Sequence, residues 1–133
     1  MGTEKKEIEK GSIGSEVDHF IYRVPKKNHS AMAQINKQFA DMITKYGASH
    51  VVFQLNNTST PMEGIVNIAK TVAASDDEEV WMELIFYRDR KHKEEIGTKM
   101  RNDESMALLY RQSLDLVTPG TGFVLGEFTR LMT

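Results

Sequence analysis

Val17-Asp18-His19-Phe20-Ile21-Tyr22-Arg23-Val24-Pro25 decides how this chain folds. Branched and aromatic side chains crowd the stretch, as a pleated strand favours, and Pro25, with no N–H for a ladder, closes it. Asn28 then stands where a helix cap belongs. Apolar side chains follow at Met32, Ile35, Phe39, Met42, Ile43 and Tyr46. Steps of mostly three and four place these on one stripe of a helix, with Lys37, Asp41 and Lys45 outside it. Gly47 sits where a left-handed helix terminator is needed. A second unit of strand and helix follows at residues 80–100, so the chain reads as a duplicated β-α-β plan.

Between the two units, residues 50–55 read as a strand and 56–64 as a loop. Residues 65–73 suit a further strand, because Val66, Ile68 and Val72 fall on one face. Residues 75–78 make a turn, and residues 80–87 carry the strongest strand pattern. Asp89 caps a second helix that buries mainly Ile96 and Met100. Asn102-Asp103 interrupts it, and Met106, Leu109 and Tyr110 mark another short helix. Gly120 and Gly122 introduce a last strand over residues 123–128. The order β-α-β-(β)-β-α-β predicts an α+β fold, a ferredoxin-like sandwich with an antiparallel sheet and helices on one face. Residues 1–15, alternating Glu and Lys before Gly and Ser, are expected to form a flexible tail; residues 16–133 form the single domain.

Composition narrows the function classes. A chain of 133 residues fits one domain, with 40% hydrophobic and 27% charged residues. Seventeen basic and 19 acidic residues leave a net charge of −2, which disfavours a dominant grip on nucleic acid or anionic membrane. There is no cysteine, so disulfides, thiolate metal sites and cysteine nucleophiles are excluded. No apolar run approaches a membrane span of about 20 residues, and residues 1–10 lack a signal-peptide core. A cytoplasmic location is the expectation. The sequence contains no hydrolase elbow, zincin, P-loop or dinucleotide fingerprint.

Alternation divides each strand into two faces. Val51, Phe53 and Leu55, with Val80, Met82, Leu84 and Phe86, form the cleaner apolar set, joined by Phe20, Tyr22 and Val24. This set is expected under the helices. The opposite set mixes Ile21, Val52 and Ile85 with His19, Arg23, His50, Gln54, Trp81, Glu83 and Tyr87. Such a mixture suits a partly apolar cleft enclosed by a second subunit. His19 and His50 are candidate bases, Arg23 a candidate oxyanion partner, and Gln54, Trp81, Glu83 and Tyr87 candidate substrate contacts. Two histidines with Glu83 could in principle ligate a metal, but no ligand spacing supports it, and no metal or cofactor is expected. His29 and His92 read as solvated helix residues.

Several segments occur together in a further pattern. They are Val17-Asp18-His19-Phe20 with Val24-Pro25-Lys26, Tyr46-Gly47-Ala48, Glu79-Val80-Trp81 through Tyr87, and Gly126-Glu127-Phe128. The most specific is Lys99-Met100-Arg101-Asn102-Asp103-Glu104-Ser105-Met106. Over residues 16–131 the chain resembles the YbaA-like family of the dimeric α/β-barrel superfamily. Glu104 replaces that family's usual proline, and His19 stands where relatives often have glycine. The resemblance implies a homodimer formed by packing two sheets, in a family without an established reaction.

The expectation is a homodimeric protein that binds a small molecule. If it is an enzyme, the expected reaction is cofactor-independent oxygenation or isomerisation of a small aromatic or carbonyl compound. The alternative is a non-catalytic dimer whose sheet face serves only as an interface. Neither reading requires nucleic acid or membrane.

Overall fold

In the computed structural model, which describes residues 13–120 and 122–132, strand β1 runs Glu16–Pro25. A 3₁₀ turn, Lys26–Asn28, leads into helix α1, His29–Lys45. Strand β2 is Ser49–Gln54, and a single helical turn, α2, is Ile68–Thr71. Strand β3, Glu78–Tyr87, is followed by helices α3, Arg90–Arg101, and α4, Glu104–Leu116. Strand β4, Val124–Thr129, ends the series. The expected tail lies outside the described residues as far as residue 12.

The four strands form one sheet in the order β2-β3-β1-β4, every neighbouring pair antiparallel. The architecture is α+β. The two long strands occupy the centre, where each can pair on both sides, and the two six-residue strands form the edges. Pairing extends to the chain's entry into the sheet. Ser15 N–H donates to the Arg88 carbonyl at 3.0 Å, and the Ser15 carbonyl accepts from Arg130 N–H at 2.7 Å. Gly14 is obligatory here, since a Cβ would fall 2.0 Å from the Tyr87 carbonyl oxygen.

Helix boundaries follow local chemistry. Gly47 adopts φ 97° after α1, in the left-handed region that glycine tolerates best. Asp89 accepts from His92 N–H at 2.8 Å and opens α3. Asp103 accepts from Ser105 and Met106 N–H and starts α4, a 13-residue helix where only a short one was expected. Asn28 does not cap α1 with its side chain; its Nδ2 reaches across to the Leu116 carbonyl at 3.0 Å.

The strand expected over residues 65–73 does not form. Asn67 Oδ1 accepts from Ala69 N–H at 2.9 Å, which turns the backbone into α2, and Ala73 takes φ 56°, incompatible with a ladder. Local hydrogen bonding thus overrides the alternation of apolar residues.

All three long helices cover one face of the sheet. Ile43, Ile96 and Met106 pack against Ile85 and Tyr87, while Met32 and Val117 pack against Tyr22, Val24 and Trp81. Register fixes the rest of that face: Tyr22 pairs with Trp81, Phe20 with Glu83, His50 with Ile85, and Gln54 with Trp81. The expected assignment of faces is therefore reversed for β2 and β3. Trp81, Glu83, Tyr87 and His50 lie on the helix side, whereas Val51, Phe53, Met82, Leu84 and Phe86 lie on the open side. Polar groups are tolerated beneath the helices because they bond to one another. Among the described residues, no long helix lies over the cleaner apolar set; Val80 is buried near α2, whereas Val51 and Phe53 are exposed. Among the described residues, no helix is long and apolar enough to cross a membrane.

Candidate functional site

Glu83 is the centre of the site. It lies mid-strand on β3, 7% exposed, beneath α1 and α4. Transferring a carboxylate from water to such a place costs several kcal/mol unless donors replace the lost hydration. Tyr22, on the neighbouring strand β1, donates its hydroxyl to Glu83 Oε1. His50 Nε2, from β2 on the other side, lies 3.2 Å from Oε2. Strands on both flanks thus direct one polar group each at the same carboxyl group.

Helix α1 adds the fourth member. Asn36 Nδ2 donates to Tyr22 Oη at 3.1 Å and to the Met32 carbonyl at 3.2 Å. Phe39, one turn further along α1, sets its ring 5.2 Å from the His50 ring, close to perpendicular. Burial raises the Tyr22 phenol well above its usual range, and the charge and hydrogen bond of Glu83 raise it further. Tyr22 is therefore held as a donor.

A cavity of about 90 Å³ opens above this cluster, between the sheet, α1 and α4. Glu83 and Asn36 reach its wall. Phe20, Met32, Ile35, Phe39, Met106 and Leu109 supply much of the apolar remainder, and Ser113 completes one side. Tyr110 and Phe123 also line it, with ring centroids 5.9 Å apart, and Tyr110 is 57% exposed. A mostly apolar hollow with a few convergent polar groups is the usual form of a small-molecule site.

The residues singled out from the sequence do not form one cluster. His50 and Glu83 meet. Trp81 is two residues away on the same face and gives its indole N–H to Glu79 Oε1 at 2.9 Å; His29 Nδ1 lies 2.7 Å from the same oxygen. Gln54 is exposed at the end of β2. Tyr87 is at the far end of β3, donating to Asp18 Oδ2 at 2.9 Å. Burial, followed by the Asp18 charge, raises its phenol as well. Lys93 closes that second cluster, 2.9 Å from Asp18 Oδ1 and 2.6 Å from Glu127 Oε1.

His19 and Arg23 lie on the opposite face, because strand alternation separates them from Phe20, Tyr22 and their partners. His19 Nε2 is enclosed without a hydrogen-bond partner among the described residues, and its ring centroid lies 6.0 Å from that of Phe128. Arg23 approaches Glu78 Oε2 at 3.7 Å and donates to the Ala73 carbonyl at 3.2 Å. The grouping of both histidines with Glu83 is thereby corrected. So is the expectation that His92 is solvated: it is 5% exposed, with Nδ1 accepting from Arg88 N–H at 3.0 Å.

Tyr22, Asn36 and Ser113 escaped the sequence reading as site residues. Asn36 carried a usable signal, since it lies four residues from Met32 and seven from Ile43, inside the apolar stripe of α1. Ser113 stands likewise seven residues after Met106.

A comparison with protein families matches residues 15–115, a span that holds Tyr22, Asn36, His50, Glu83 and Ser113. The chain belongs to DUF1428. This is a family of proteins of unknown function. The DUF1428 match takes in the whole polar cluster and most of the cavity wall, while Phe123 and β4 follow it in the chain. No curated protein matches the chain.

Proposed function

We propose that the chain is a homodimeric small-molecule-binding protein, with its ligand in the Glu83 cavity and proton transfer at Glu83 as its chemistry. The observation that carries this reading is the convergence of two side chains on one buried carboxyl group beside an apolar hollow. Tyr22 and His50 occupy about half of the four acceptor positions a carboxylate offers. The remaining positions can take a proton from a bound ligand. The ligand's bond to hydrogen breaks, an O–H forms on Glu83, and the ligand's conjugate base remains in the cavity. Isomerisation of a carbonyl compound or cofactor-independent oxygenation of an aromatic one would begin in this way. Here Glu83 takes the base role expected of His50, and His50 serves as its hydrogen-bonding partner. We assign His19 and Arg23 to the open face instead.

The reading of the fold as ferredoxin-like, and of the molecule as a dimeric barrel akin to the YbaA-like proteins, draws support from the strand order and from the packing of the three long helices on one side. An apolar open face on β1, β2, β3 and β4 is what a second copy would cover. That same face favours the second reading, a dimer whose interface is its whole role.

Ligand-observed NMR against a set of small aromatic and carbonyl compounds separates the two. The enzyme reading expects binders whose affinity falls on Glu83→Gln and on His50→Ala, but is retained on His19→Ala. Binders indifferent to Glu83→Gln would remove Glu83 from the site.

A further inference from the structure

The hydrogen-bonding groups around the cavity are unbalanced, and the imbalance specifies a ligand. Asn36 gives its amide protons to Tyr22 Oη and to the Met32 carbonyl. Only an NH₂ can face a carbonyl oxygen, so the amide orientation is fixed and Asn36 Oδ1 is left as an acceptor. Ser113 gives its hydroxyl proton to the Tyr110 carbonyl at 2.6 Å. Tyr22 gives its proton to Glu83. Among the described residues the wall contains no lysine, arginine or histidine. Tyr110 also lines the cavity but is more than half exposed, so its hydroxyl is open to solvent. Of the buried polar residues that line the cavity, Glu83 and Asn36 keep acceptor capacity, while the protons of Asn36 and Ser113 are committed.

Charge points the same way. An anion entering the cavity would meet the Glu83 carboxylate with no cation in the wall to offset the repulsion. A ligand that only accepts hydrogen bonds would leave its own oxygen, and those of Glu83 and Asn36, without partners; unmade buried bonds of this kind cost about 1–3 kcal/mol each.

The hollow measures about 90 Å³, somewhat below the roughly 150 Å³ of an apolar cavity known to take benzene. Met32 and Met106 in the wall are unbranched and able to move aside for a ring of that size.

We infer that the cavity takes a small neutral phenol, its hydroxyl donating to Glu83 or Asn36, and rejects the carboxylate and the ether of the same ring. This deepens the proposed function and rests on the cavity being a binding site at all. The test is a titration of the full chain, labelled at its methionine methyl groups, with phenol, anisole and benzoate at neutral pH. Phenol is expected to shift the Met32 and Met106 methyl signals with a Kd at least ten-fold below that of anisole. Benzoate should leave those signals unchanged. Glu83→Gln, which brings a donor into the wall, should narrow the gap between phenol and anisole. Anisole or benzoate binding as tightly as phenol would overturn the donor rule while leaving a binding cavity. If none of the three moves those methyl signals, the binding site itself is lost, and the inference with it.

Discussion

Tyr22 touches Glu83 and Asn36 at once, so it links a strand to a helix through a single oxygen atom. Tyr22→Phe removes that atom and little volume. It strips Glu83 of one donor and Asn36 of one acceptor. We expect a loss of about 1–3 kcal/mol in unfolding free energy, measured by urea denaturation. The Tyr22→Phe/Glu83→Gln double mutant should be non-additive by at least about 0.5 kcal/mol, as contacting residues in one network are. Additive effects would mean the two do not share a bond. At this scale the sequence was half legible. Glu83 and His50 drew notice as polar residues among apolar neighbours on strands. Asn36 was equally out of place on its helix, but a helical stripe is read by its apolar members, and the polar intruder passed unseen.

Helix α3 shows how an element can depend on one buried ring. Its sequence is charged almost throughout, and only Ile96 and His92 are buried. Burial, and after it the Arg88 guanidinium, holds the His92 imidazole below its usual value of 6.5. The neutral ring is therefore the form that folds. Because the folded value lies below the unfolded one, the contribution is complete above about pH 6.5 and is lost as pH falls through the lower folded value. Urea midpoints measured from pH 7.5 down to pH 5 should decline over that window, and His92→Gln should flatten the decline. An unchanged slope in the variant would place the titration elsewhere. The element pattern was the most legible part of the chain: α1, β3 and the Asp89 cap follow from spacing and cap chemistry. The short turn α2 did not, because the Asn67 side chain decides it, and alternation of Val66, Ile68 and Val72 points to a strand.

Among the described residues, one side of the sheet is covered by helices and the other is left largely open. Helices and loops cover the face that holds the polar cluster, while Phe53 and Phe128 are 52% and 53% exposed on the other. Strand alternation names two faces but does not say which turns inward. The apolar rule chose wrongly for β2 and β3, because hydrogen-bonded polar groups can be buried and an apolar face can be kept for a partner. If a second copy covers it, the wild-type chain should run at twice 15.1 kDa in light scattering at micromolar concentration. Phe53→Glu together with Leu84→Glu should halve that mass and leave the helical circular dichroism unchanged. A wild-type monomer at those concentrations would end the dimer proposal.

The chain has one tryptophan, and its position beside the site has an optical consequence. Trp81 is two residues from Glu83 on the same face of β3, with the Tyr22 ring 6.2 Å away and the His29 ring 5.3 Å away. All ultraviolet emission from indole in this molecule therefore comes from a single, 4% exposed ring next to the polar cluster. Excitation absorbed by Tyr22 has a ready acceptor in the Trp81 ring, 6.2 Å away between centroids. The protein thus carries an intrinsic reporter where its chemistry is proposed to occur, and the light it gives off is a record of one place rather than an average over many.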